Sequence, residues 1–296
     1  ERVLEVAERL GYQINAGARG LATGLTTTVG ILYPYHRLRE VESWYTSQLM
    51  HDIRSALWER GFDSMIAGYD TADHNLADIT RLPAQKKVDG LIVIGHEITE
   101  EALTALAAIT DRYLSVNPAR TEWIAEHDAV YVDQEMGGVL AARTLRERGC
   151  RTVALVMEAE PQFTTRATGF SREWGERPAE IRLVDGTFES AYALGVENTE
   201  EFTRFDGLFV GSDLSALGIM NGLLDQGVRV PDDVAIVGFD DIEWSRYARP
   251  ALTTVHQPRR EVAATAATKI LGRIRGEEME RVAELFQPRV VARESC

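Results

Sequence analysis

Apolar residues recur along this chain in two alternating rhythms. Short, nearly continuous apolar runs bounded by Gly, Asp, Asn and Pro have the length of strands buried on both faces. They predict strands at Val29–Tyr33, Asp63–Ala67, Gly90–Ile94, Tyr113–Val116, Ala129–Val132 and Thr152–Met157. Further strands are predicted at Ile181–Val184, Gly207–Val210, Val234–Phe239, Thr253–Val255 and Arg289–Ala292. Between these runs the apolar positions fall every three or four residues, as on one face of a helix. In Ser47–Glu59, for example, Leu49, Met50, Ile53, Ala56 and Leu57 share a face, and Gly61 follows as a stop signal. Val139–Arg148 ends at Gly149 and Leu214–Gln226 ends at Gly227 in the same way. Such alternation predicts parallel sheets covered by helices on both faces.

A weak internal repeat bears on how many sheets there are. Lys87-Val88-Asp89-Gly90-Leu91-Ile92-Val93 reads much like Arg204-Phe205-Asp206-Gly207-Leu208-Phe209-Val210. One reading is coincidence, because Asp-Gly is a common turn dipeptide. The other is two similar lobes facing each other across a cleft, with a ligand near the carboxyl ends of the strands. The length of 296 residues suits two lobes of roughly 100–150 residues each.

Charge changes the picture. Asp and Glu number 46 against 32 Lys and Arg, a formal net charge of −14 that argues against tight nucleic-acid binding by these residues alone. Two cysteines, Cys150 and Cys296, do not make a disulfide framework and fit a reducing cytoplasm. No uninterrupted apolar run of about 18 residues is present. The opening ERVLEVAERLGY is charged and amphipathic, unlike a secretory leader, and the absence of an initial Met suggests a piece of a longer product. No nucleophile elbow, phosphate-binding loop or dinucleotide fingerprint is found, and His96-Glu97 lacks the second histidine of a zinc-protease helix. The expectation is therefore no enzyme, no cofactor and no metal.

Several separated segments resemble the lac/galactose repressor family. The segment Val228–Asp241, reading VRVPDDVAIVGFDD, is followed at the family's spacing by Pro250–Pro258, reading PALTTVHQP. Gly207–Gly218 (GLFVGSDLSALG) and the closing Arg289–Ser295 are similar to two more family segments. At the other end, Arg2–Tyr12 resembles the third helix of a helix-turn-helix headpiece, and Gln13–Leu21 resembles a hinge helix, with Ile14 where the family usually has Pro. The resemblance covers essentially the whole chain. It implies two doubly wound parallel-sheet lobes of the type I periplasmic-binding-protein-like kind, carrying a remnant of a helical DNA-binding headpiece. Residues 1–23 would be headpiece and hinge, and 24–28 a linker. Residues 29–132 with 257–286 would form the first lobe, and 133–256 with 287–296 the second. The reading helix would lie upstream of Glu1, which reconciles an acidic chain with a DNA-binding protein.

The resemblance also nominates site residues. In the hinge, Leu21 matches an apolar wedge that unstacks a base step, with Arg19 and Asn15 placed to contact phosphate or base edges. Alternatively, this segment is disordered without DNA. In the cleft, Trp44 and Tyr45 would form an aromatic wall, or else a core or dimer contact. Arg166 would grip vicinal hydroxyls or a carboxylate with its planar fork. Asp240, leaving a buried strand, would accept hydroxyls opposite it, while Asp241 serves the turn. Phe188 is either an aromatic platform or a helix-start core residue. Gln257 follows a strand at a lobe crossover. Ser212 stands where the family often has Asn, Asp213 is expected to cap a helix, and Asp133 is open between hinge and ligand roles.

The expected protein is a cytoplasmic homodimeric transcription regulator, most simply a repressor. Its core binds a small polar effector, a sugar or sugar derivative, and thereby changes its affinity for operator DNA. The dimer would form through Ser47–Glu59 and Leu214–Gln226, with no membrane partner. The alternative is an extracytoplasmic sugar-binding protein of a transporter.

Overall fold

The structure, a computed structural model, describes residues 9, 24–35, 44–70, 76–95, 98–118, 127–159, 161–175, 177–183, 185–277 and 280–296. The hinge residues Asn15, Arg19 and Leu21, and also His96, Glu97 and Val184, lie outside them.

In the first half of the chain, strands and helices alternate as β1 (Thr28–Tyr35), α1 (Trp44–Trp58), β2 (Asp63–Asp70), α2 (Leu76–Ala84), β3 (Gly90–Ile94), α3 (Glu100–Ala107), β4 (Tyr113–Val116) and β5 (Ala129–Val132). The second half continues with α4 (Gln134–Arg148), β6 (Val153–Met157), α5 (Pro161–Trp174), β7 (Ala179–Arg182), α6 (Phe188–Glu197), α7 (Thr199–Phe202), β8 (Gly207–Val210) and α8 (Asp213–Asp225). Then come β9 (Ala235–Asp240), a 3₁₀ turn (Glu243–Arg246), β10 (Thr253–His256), α9 (Arg259–Ile274), β11 (Ala283–Phe286) and β12 (Arg289–Val291).

The strands form two six-stranded sheets, in the orders β11-β5-β4-β3-β1-β2 and β12-β10-β9-β8-β6-β7. Every pairing is parallel except that of β12 with β10. Central strands such as Gly90–Ile94 and Gly207–Val210 are buried throughout, because helices cover both faces. In the first sheet, α1 and α9 supply one core around Leu49, Ile53 and Ile270, and α2 with α3 supply the other around Leu82 and Leu106. In the second, α4 with α5 and α6 with α8 do the same around Phe170 and Phe209, and around Leu208 and Met220. The chain passes between the sheets three times, from β5 into α4, from β10 into α9, and from β11 to β12. Residues 133–134 and 257–258 therefore sit at the crossovers.

Capping explains where several helices begin. The Asp133 carboxylate accepts the Met136 N–H, and Gly149, left-handed at φ 97°, closes the same helix. That cap starts α4 at Gln134 rather than at Val139, because Gly137 and Gly138 interrupt the apolar rhythm that would have revealed its first turn. They are required by close approach. A Cβ on Gly138 would overlap the Arg166 carbonyl, and one on Gly169 would overlap that of Glu135, so α4 and α5 pack backbone to backbone. Ser212, not Asp213, is the cap of α8, accepting from the Ser215 N–H. Several strands differ from expectation: β1 and β2 run on to Tyr35 and Asp70, past the predicted Tyr33 and Ala67. β7 lies two residues ahead of Ile181–Val184, and the edge strand β11 was not predicted, since Ala283–Phe286 is short, carries Glu284 and is only partly buried.

Candidate functional site

The polar centre of the molecule assembles where the crossovers meet the carboxyl ends of the second sheet. Arg166 projects from α5 and is only 4% exposed. Its Nε donates to Gln134 Oε1 at 2.8 Å and its Nη1 donates to the Gly211 carbonyl. Beneath it, the guanidinium carbon stands 3.7 Å from the centroid of the Phe239 ring and 5.1 Å from that of Phe163, both cation–π distances. Nη2 lies 3.8 Å from Asp240 Oδ1, an ion pair without a direct hydrogen bond. Gln257, 1% exposed, donates to the same Asp240 oxygen at 2.7 Å and accepts from Gln134 Nε2 at 3.0 Å. Arg166, Gln134, Gln257 and Asp240 thus close a ring of side chains drawn from α5, the start of α4, the β10–α9 crossover and the end of β9.

Backbone geometry at Asp240 is unusual. Its φ is 114°, and Asp241 follows at 55°, both positive in residues with a side chain. Such conformations are sparsely populated and persist only where surrounding contacts fix them, often at ligand sites. Asp241 is fixed by Arg293, which donates to Oδ1, and by His256 Nδ1, 2.9 Å from Oδ2. Burial alone would raise the Asp241 carboxyl, but these partners outweigh it and hold it down at about 2. Asp240 moves the other way. Burial dominates and raises it to about 6, against the opposing influences of Arg166, Gln257 and Arg259. Burial likewise lowers the Arg166 guanidinium, and the Asp240 charge works against that loss.

Behind the ring, Asp213 is fully buried at the start of α8. It accepts from the Ile242 N–H at 2.9 Å, Ser245 Oγ at 2.6 Å and Thr254 Oγ1 at 2.5 Å. This ties α8 to the turn after β9 and to β10, a role the expected cap did not suggest. Burial, reinforced by the Asp240 charge, raises its carboxyl to about 8 despite those three donors.

From the first lobe, Tyr45 reaches the same region. Its ring is buried, its hydroxyl accepts from Asn117 Nδ2 at 3.3 Å, and it lies close enough to Asp240, Arg166 and Arg259 to feel their charges. Burial raises its phenol above the usual range. Trp44 is 37% exposed and meets Trp244 of the 3₁₀ turn edge to face. The structure thus gathers Arg166, Asp240, Gln257 and Tyr45, with Trp44 beside them. Ser212 and Asp133 lie at the cleft ends of their strands, with their side chains engaged as helix caps. Phe188 does not join the ring; it packs on the core beneath α6 and stacks on Tyr192. Sequence reasoning missed Gln134, Phe163, Phe239 and Trp244. Gln134 and Phe239 adjoin the nominated Asp133 and Asp240 and could have been found by asking what a buried Arg166 must touch. A separate hollow of about 830 Å³ lies between α5 and the edge strand β7, where Arg172 pairs with Glu135 and Arg177 with Glu180.

Among the described residues, no cluster of His, Cys, Asp and Glu is arranged to hold a metal, and no helix is long and apolar enough to cross a membrane. Residues 142–296 match the model of a periplasmic binding protein-like domain. The chain is 30% identical to the HTH-type transcriptional repressor PurR of Aliivibrio fischeri, over all of this chain and 88% of that protein. It is 26% identical to a LacI family transcriptional regulator from Enterococcus faecium solved with bound ribose, with a TM-score of 0.76 over 90% of this chain and 98% of the other. The lac repressor dimer bound to operator and the anti-inducer ONPF shares the fold, at a TM-score of 0.82 and 21% identity over 96% and 99% of the two chains. These relatives are transcription regulators.

Proposed function

The chain belongs to the lac/galactose repressor family of transcriptional regulators, and we propose that it senses a small polyhydroxylated effector, a sugar or sugar derivative, in the cleft around Arg166 and Asp240. The observation that carries this reading is the side-chain ring itself. A buried guanidinium and a buried carboxylate, 3.8 Å apart, offer a donor and an acceptor at the spacing of neighbouring hydroxyls. One hydroxyl accepts from Arg166 while the next donates to Asp240. Gln257 orients Asp240, Gln134 orients Arg166, and Tyr45 and Trp44 present ring faces to the apolar side of the guest. Asp133 and Ser212 are assigned the margins of this site, and Phe188 is left to the core beneath α6. The ribose found in the Enterococcus faecium regulator supports the sugar class.

Both lobes contribute, so a guest favours the arrangement in which they close on it. Coupling of about 1–3 kcal/mol between effector and operator requires only that affinity differ between two lobe arrangements. We assign residues 29–132 with 257–286 to one lobe and 133–256 with 287–296 to the other, a division supported by the membership of the two sheets. Operator contact is assigned to Asn15, Arg19 and Leu21, and readout to a homodimer in the cytoplasm. The dimer contact fits α1 and the edge strand β2, where Trp58 is 72% exposed and Met65 and Ile66 are exposed beside it. The other expected contact, α8, already spends most of its apolar face on α6 within one chain. A solute-binding role in transport is disfavoured by the relation to a repressor over all of this chain, and catalytic turnover of the guest is not part of the proposal.

A thermal-shift panel of sugars, nucleosides and amino acids tests the reading on the wild type and on Asp240→Asn. At a hundredfold excess over its dissociation constant, a true effector adds about 2.7 kcal/mol of stability. A sugar that stabilises the wild type and not the variant is the expected result. Stabilisation by an amino acid alone, or by no member of the panel, would refute the sugar class.

A further inference from the structure

We infer that Trp44 and Trp244 form an aromatic clasp across the mouth of the cleft, holding the lobes in their closed arrangement; this rests on the sensor reading above. Trp44 opens α1 against the first sheet, and Trp244 lies in the 3₁₀ turn that follows β9 of the second. Their ring centroids are 6.3 Å apart with an interplanar angle of 60°, the edge-to-face geometry that ring quadrupoles favour. Neither ring fills a core, since 37% of Trp44 and 55% of Trp244 is exposed. Among the described residues the aromatic partner of each is the other, and the two belong to different lobes.

Position makes this contact more than a surface pair. Trp44 precedes Tyr45, whose hydroxyl feels the charges of Asp240 and Arg166. Trp244 follows Asp240 through a short link in which Ile242 is anchored to the buried Asp213 by its N–H. Each indole is therefore fixed to a different wall of the same polar ring. When the walls separate, this contact breaks, and when they close on a guest it re-forms at the entrance. Trp244 is a positioning residue for the cleft, acting through the lobe arrangement, and Trp44 adds that role to the wall it offers the guest. An edge-to-face pair of this kind shifts a closed-to-open ratio by about 2- to 12-fold.

The test uses Trp44→Leu, Trp244→Leu, the double variant and Trp244→Phe, all without ligand. Coupled indoles give a paired far-ultraviolet circular dichroism band, which either single Leu variant should abolish entirely. Small-angle scattering should show a larger radius for both Leu variants, and the double variant should be no more expanded than either single. Trp244→Phe should lose the band yet keep the compact radius, because its ring still meets Trp44. Melting shifts of the two Leu variants should be less than additive. An unchanged dichroism band, or wild-type radii with additive melting shifts, overturns the clasp. A changed monomer–dimer ratio in sedimentation also overturns it, by placing the contact between copies. None of these readouts needs an effector, so a failed ligand panel counts against the sensor reading alone.

Discussion

Replacing Arg166 by Met removes the one cation inside the side-chain ring while keeping an unbranched stem of similar reach. Three consequences follow from the geometry. Gln134 Oε1 and the Gly211 carbonyl lose their donor, Phe239 loses the cation over its face, and Asp240 loses its counter-charge in a buried setting. Breaking a buried pair by deleting one partner costs about 3–5 kcal/mol, because an uncompensated charge remains. For a folding unit of this size each kcal/mol moves the melting temperature by about 2–4 °C, so a fall of about 6–20 °C is expected. The loss also depends on pH, and its sign is fixed. Asp240 titrates near 6 in the folded chain, above its unfolded value of about 3.9, so its contribution to stability is full at low pH and is lost as pH rises through 6. Without Arg166 that carboxyl titrates higher still, and the variant goes on losing stability above pH 6 where the wild type has finished. Thermal melts at pH 5.5 and pH 8 should show a wider gap between the proteins at pH 8. A gap of under about 2 °C, or one equal at both pH values, would show that Arg166 does not compensate Asp240.

Gly138→Ala forces a methyl into the Arg166 carbonyl where α4 and α5 touch; a loss of about 1–3 kcal/mol or more in chemical denaturation is expected. If stability is retained within about 0.5 kcal/mol, the backbone contact is not as close as described. Asp241→Asn removes a carboxylate held at about 2, a contribution of about 1–3 kcal/mol that is present above the unfolded value and lost as pH falls through 2. Denaturation at pH 7 should show that loss, and the two proteins should converge by pH 2; a constant difference across this range would contradict the assignment.

Legibility in the sequence followed burial. Strands such as Gly90–Ile94, Tyr113–Val116 and Gly207–Val210 were bounded correctly to the residue, because a strand covered on both faces is largely apolar and stops at a turn-forming Gly or Asn. The edge strand β11 escaped because one-sided burial leaves little periodic signal, and the first turn of α4 escaped because its glycines answer to helix contact rather than to a core. Arg166, Asp240 and Gln257 were nominated from family segments, and the structure places them in one ring. Trp244 could not be nominated so, since a half-exposed tryptophan acquires meaning only when the folded chain brings a partner to it. Asp213 was misread for a similar reason. Ser212 and Asp213 are both good capping residues, and only burial distinguishes the cap from the hub.

The most direct measurement is calorimetric titration of the tightest-binding sugar from the panel into the wild-type chain at pH 7.5 and at pH 5. Recognition by an ionised Asp240 titrating near 6 predicts one molecule bound per chain, about tenfold weaker at pH 5, and no binding to Asp240→Asn. Binding of equal strength at both pH values that survives in Asp240→Asn would contradict it, and would place the guest away from the Arg166–Asp240 ring.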